Sequence, residues 1–132
     1  MIHRPTVAGL FPPPGYAHAV VVEPSHHLAF MAGAVPLDGG GGLVGAGDLV
    51  AQTRQALTNL RTALRAVGSD LSQVLSSTVY VVASTSEDLG RAWGIACDSG
   101  FASPPHASTL LGVACLGYPD QLVEISAMAA IP

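Results

Sequence analysis

The sequence predicts an α+β domain in which two helices pack on one face of a mixed sheet. Three observations carry this. Apolar residues recur at helical spacing in two segments, Asp48–Val67 and Leu89–Cys97. Valine- and alanine-rich runs of strand length lie before, between and after them. With 132 residues the chain is one domain's worth, and no linker or internal repeat divides it. The order reads β-β-α-β-α-β-β over a single domain, 1–132.

Residues 1–15 are expected to be extended, because Pro12, Pro13 and Pro14 forbid a helix interior. Ala17–Val22 and Leu28–Val35 flank a turn-like Glu23–His27 and read as a β-hairpin. Pro36–Gly47 holds six glycines in twelve residues and must be a loop, with a mobile tip expected. It is no phosphate loop, since neither lysine nor Ser/Thr follows at the required place. Asp48 is the N-cap and Gly68 the C-terminal stop of the first helix, with Leu57, Leu60, Leu64 and Val67 as its stripe.

A strand within Leu71–Ala83 follows, rich in valine and tyrosine. Ser84–Asp88 then starts the second helix, whose stripe is Leu89, Ala92, Trp93, Ala96 and Cys97. The last strands are Ser108–Cys115 and Leu122–Ala130. In the latter Val123, Ile125, Ala127 and Ala129 share one face, and Leu122, Glu124, Ser126 and Met128 the other. The strands lack clean polar alternation, so the sheet face away from the helices needs cover, and a second chain is its natural source.

Composition excludes several function classes. Hydrophobic residues make up 49% and charged residues 11%, which rules out a disordered chain. The net charge is −4 and all five cations are arginines. Without lysine there is no Schiff-base chemistry from this chain. No basic patch of useful size exists for nucleic acid. Arg54, Arg61 and Arg65 lie off the first helix's stripe and read as a solvated face. The two cysteines form no disulfide framework, and no His/Cys/Asp/Glu set has zinc spacing. No run approaches the ~18 apolar residues of a membrane span. A soluble, cytoplasmic protein with no metal and no cofactor is expected.

Several segments occur together in an order that matches one family: PPPGYAHAV, LAFMAGAVPLD, AQTRQALTNLRTALRAVG, VYVV and GVACLGYPDQLVEISAMA. Together they resemble the RidA/YjgF family, formerly labelled L-PSP endoribonucleases, from about Pro12 to Ala130. The resemblance implies a chorismate-mutase-like fold and a homotrimer with sites in the clefts between subunits. It also implies hydrolysis of reactive enamines and imines, such as 2-aminoacrylate, to the 2-keto acid and ammonia.

On the family's pattern Tyr16 matches a pocket tyrosine, Gly33 a glycine whose backbone meets the ligand, and Glu124 the glutamate that positions or activates water. The carboxylate-binding arginine falls on Ser108 when Gly112–Ala114 anchors the alignment, and an asparagine of the second helix falls on Trp93. The chain therefore keeps the acid and loses the carboxylate anchor, which makes it a divergent member. His106 stands near the missing arginine and is a candidate anion anchor or acid/base group. His18 and Cys115 are further candidates for the pocket lining.

Glu124 is the sharpest of these candidates, because a carboxylate between apolar strand neighbours needs a partner or a function. For His106 the plainer reading is an exposed loop residue, for Cys115 a buried inert thiol, and for Trp93 core packing. The first functional expectation is acid/base-assisted hydrolysis of a reactive imine, enamine or related small molecule. The alternatives are isomerisation or cyclisation of a larger substrate on the same scaffold, and a ligand-binding trimer without chemistry. Ribonuclease activity fits the charge least.

Overall fold

The structure is a computed structural model describing residues 1–132. Its strands are β1 (Ile2–His3), β2 (Val21–Val22), β3 (His27–Ala34), β4 (Val74–Val82), β5 (Ala107–Val113) and β6 (Val123–Ile131). Its helices are α1 (Leu49–Ala66) and α2 (Ser86–Asp98), and a 3-10 turn at Leu71–Gln73 leads into β4. The four long strands form one sheet in the order β3-β6-β4-β5. β6 runs antiparallel to both its neighbours, and β4 and β5 are parallel, joined by α2. The mixed sheet and the two helices agree with the sequence reading.

Local chemistry explains the helices. Asp48 caps α1 by accepting from the Ala51 N–H at 3.1 Å, and Gly68 leaves the helix at a φ of 85°, where a side chain would be strained. Leu57, Leu60 and Leu64 are buried against Val79, Val81, Val123 and Ile125 of the central strands. Each such leucine stabilises the fold by about 1.5–3 kcal/mol. Val67 falls past the helix end and is exposed, so the stripe stops at Leu64. In α2, Thr85 caps the first turn and Ala92 and Ala96 are buried.

Two expectations are corrected. The hairpin does not form: β2 pairs antiparallel with β1, while β3 pairs with β6. The N-terminal segment, extended as expected at Ile2–His3, supplies the partner for Val21–Val22, and Glu23 fixes that ribbon by binding the Met1 ammonium at 2.9 Å. In the glycine-rich loop Asp38 Oδ1 accepts from Gly40 and Gly42 N–H at 2.9 Å each. Finally β5 ends at Val113, so Cys115 lies in the following loop, exposed rather than buried.

The helices cover one sheet face only. Register places Leu28, Phe30, Tyr80, Leu111, Glu124 and Met128 on the other. There Leu28, Phe30 and Leu111 are 43%, 74% and 45% exposed.

Candidate active site

Glu124 stands on β6 with its side chain on the uncovered face, opposite Tyr80 of β4. Its Oε1 accepts from the Gln121 Nε2 at 3.2 Å. Gln121 is buried and fixed at both ends: Nε2 also donates to the Val123 carbonyl at 3.0 Å, and Oε1 accepts from the Tyr118 N–H at 3.1 Å. The carboxylate lies against Gly33 of β3, where an added Cβ would collide with Oε2 and come within 2.7 Å of Cδ. Gly33 therefore leaves Glu124 the space a side chain would take, and a larger residue there would displace the carboxylate.

The start of β6 is held from α1. Buried Gln52 donates through Nε2 to the carbonyls of Gly45 and Asp120, both at 3.1 Å, and accepts from the Leu122 N–H at 2.7 Å. One amide thus ties the glycine-rich loop and the turn before Glu124 to the helix. Sequence reasoning missed both Gln121 and Gln52. Gln121 sits inside the motif that marks the family resemblance, which was its available signal. Gln52 carried a different one, a polar residue beside the apolar stripe of α1.

Tyr16 and His18 lie at the other end of the uncovered face, packed edge to face with ring centres 6.1 Å apart. The Ala17 N–H donates to the His106 carbonyl at 2.8 Å, which docks this segment on the start of β5. With Phe30, Thr78, Thr109 and Ser126 they border a groove of about 550 Å³. Along β4, Ser76 faces Ala107 and Tyr80 faces Glu124, so the two ends are four residues, ~13 Å, apart. A single chain does not bring Tyr16 and Glu124 together.

Ser108 does not share a face with Glu124. It pairs with Ser77, whose side chain points to the helices, and the residues of β5 that flank it, Ala107 and Thr109, are the ones on the uncovered face. His106 is not an exposed loop residue. It is 1% exposed, its Nε2 lies 2.7 Å from the Ser77 Oγ, and its ring meets that of Phe101 at 4.7 Å. Burial, with Arg4 nearby as a lesser cause, pushes its pKa down to about 4, so the ring is neutral at pH 7. The Ser77 Oγ also lies 2.8 Å from that of Ser108.

Trp93 is half-buried, packs edge to face on Phe101 and stands over Gly15. Cys115 lies apart from all these groups, in the loop between β5 and β6. Burial raises the pKa of the Cys97 thiol, assisted by Asp98, which keeps it protonated. No group of three or more His, Cys, Asp or Glu side chains is placed to hold a metal ion. No helix is long and apolar enough to cross a membrane.

Known proteins share this architecture. The sequence pattern of the Endoribonuclease L-PSP family matches residues 9–131. Protein DfrA of Myxococcus xanthus is 31% identical over 119 residues, covering 86% of this chain and 83% of that protein. A RutC family protein of Pyrococcus horikoshii is 40% identical over 55 residues, and the match spans 42% of this chain and 44% of that protein. Among solved structures, a Yersinia pestis protein of the conserved Rid family has a TM-score of 0.84 at 34% identity, covering 97% of both chains. A Mycobacterium tuberculosis member of the YjgF/YER057c/UK114 family has a TM-score of 0.59 at 30% identity, covering 87% of this chain and 86% of its own.

Proposed function

Because the chain belongs to the Endoribonuclease L-PSP (RidA/YjgF) family, we propose that it is a self-associating cytoplasmic enzyme that hydrolyses a reactive imine or enamine. The observation that carries this reading is the seating of Glu124: a carboxylate held by Gln121 against Gly33 on a face with no cover. The substrate reacts as the protonated iminium, which an enamine reaches by protonation at carbon. Glu124 takes a proton from a water molecule as its oxygen adds to the C=N carbon and the π pair moves to nitrogen, giving a neutral carbinolamine. Glu124 returns that proton to the nitrogen; as the C–N bond breaks, Glu124 accepts the hydroxyl proton, the C=O bond forms, and ammonia leaves and carries the proton away as ammonium.

The active unit is a homotrimer with its sites between subunits. Two features support this. β3 and β5 are both edge strands, and the face they border exposes Leu28, Phe30 and Leu111. Tyr16 and Glu124, at opposite ends of the uncovered face in one chain, come together when the β5 edge of one copy meets the β3 edge of the next. Tyr16 and His18 then face the partner's Glu124 across the groove. No arginine lines the groove beside Ala107, and the nearest one, Arg4, is engaged with the Pro105 carbonyl, which supports a substrate that is not held as a small carboxylate. The unpaired thiols of Cys97 and Cys115 suit a reducing compartment.

The test is a deaminase assay in which an amino-acid oxidase generates 2-imino acids and semicarbazide traps what escapes hydrolysis. Ala107→Arg introduces a cation on the uncovered face and is expected to gain activity on 2-imino acids over the wild type. Glu124→Gln in that background is expected to lose the gain by 100-fold or more. Activity that survives Glu124→Gln would take the chemistry away from Glu124, and no activity in either the wild type or Ala107→Arg would leave a ligand-binding oligomer without chemistry as the better reading.

A further inference from the structure

A second cavity of about 360 Å³ opens on the helix side of the β5 edge, walled by Pro14, Tyr16, Trp93 and Leu110, with Ser108 as its polar side chain. Its walls are a pyrrolidine ring, a phenol, an indole and an aliphatic chain, and neither a carboxylate nor a cation lines it. Aromatic and apolar walls with a single fixed polar group select flat ligands and orient them through that group.

The direction of the Ser108 hydroxyl follows from what lies behind it. His106, Ser77 and Ser108 form a hydrogen-bonded chain, 2.7 Å and then 2.8 Å long between heavy atoms. The other end of the chain, His106 Nδ1, is buried without any partner. An orphaned N–H in the interior is rarer and more costly than an orphaned lone pair, so Nδ1 is the bare nitrogen and Nε2 carries the proton. Nε2–H then donates to Ser77 Oγ, and the Ser77 hydroxyl donates to Ser108 Oγ. Ser108 has its own proton left for the cavity. The neutral ring at pH 7 keeps this order fixed.

We propose that this cavity binds a neutral, planar small molecule that presents a hydrogen-bond acceptor, a carbonyl oxygen or ring nitrogen, to the Ser108 hydroxyl. The cavity collects Tyr16, Ser108 and Trp93, three positions that the family resemblance assigns to the ligand pocket, so the inference rests on the hydrolysis reading and names the class of ligand that pocket takes in this chain. Its test measures binding without turnover, so loss of one with retention of the other separates the two.

Trp93 is the chain's single tryptophan, and its indole N–H resonance reports on the cavity directly. The 15N-labelled protein is titrated with acetophenone, with α-methylstyrene, which has the same shape and no carbonyl oxygen, and with benzoate. Acetophenone is expected to shift the indole signal saturably and to bind about five- to tenfold more tightly than α-methylstyrene. Benzoate is expected to leave it unmoved. Ser108→Ala should abolish the preference and Ser108→Thr should retain it. Equal affinity for the two uncharged probes, a saturable response to benzoate alone, no saturable response to any probe, or a preference that survives Ser108→Ala would each overturn the proposal. Should Ser108→Ala fail to fold, the wild-type probe comparison and Ser108→Thr still decide.

Discussion

Single atoms decide the chemistry of this face. Glu124 has one fixed hydrogen bond and one glycine that makes room for it. Gly33→Ala pushes a methyl group into the carboxylate, which can move because it is the end of a flexible side chain. The variant should therefore lose more than tenfold in turnover while unfolding within about 1 kcal/mol of wild type. Steady-state kinetics beside a denaturant titration check this. His106 gives a second outcome at the same scale. Its pKa is lowered from 6.5 to about 4 in the fold, so the unfolded chain takes up the proton first as pH falls. Nothing is lost above pH 6.5. Between pH 6.5 and 4 the folded state loses up to about 3 kcal/mol relative to the unfolded one. His106→Gln should flatten that part of the stability profile, and a profile as steep as the wild type's would contradict the assignment.

At the scale of elements, the site depends on a helix that never touches it. Gln52 of α1 satisfies two carbonyls and one N–H belonging to the glycine-rich loop and the turn before β6. Gln52→Leu keeps the bulk and orphans all three groups, at roughly 1–3 kcal/mol for each group that water cannot reach. A drop of about 3 kcal/mol in denaturant stability is expected, with a fall in turnover when the start of β6 shifts. The sequence announced α1 through its stripe, Asp48 and Gly68, because those are local signals with a 3.6-residue period. It did not announce the pairing of β2, since a two-residue strand carries no period and its partner lies 19 residues away, at Ile2–His3.

The whole molecule presents one packed and one uncovered sheet face, and the uncovered face carries the acid. Phe30, 74% exposed on the edge strand β3, is the natural anchor of self-association. Phe30→Glu should convert an assembly of three 13.4 kDa chains into monomers in sedimentation velocity and abolish activity while leaving the helix content unchanged. A monomeric wild type that remains active would contradict the inter-subunit site.

By itself the sequence determined the fold class, both helices with their caps, the inward face of β6 and the family, because periodicity and capping are local and an ordered set of short motifs survives divergence. Glu124, Gly33 and Tyr16 became candidates for the same reason. Only the tertiary structure decided that β6 lies between β3 and β4, that Ser108 points to the helices and Ala107 to the open face, and that His106 is buried on Ser77. Along a strand, a shift of one residue in alignment reverses the face a side chain takes, and pairing with a distant strand fixes that parity. The burial of His106 likewise depends on Ser77 and Phe101, brought to it by β4 and the end of α2. Such placements come from long-range packing, and no window of the sequence contains both partners.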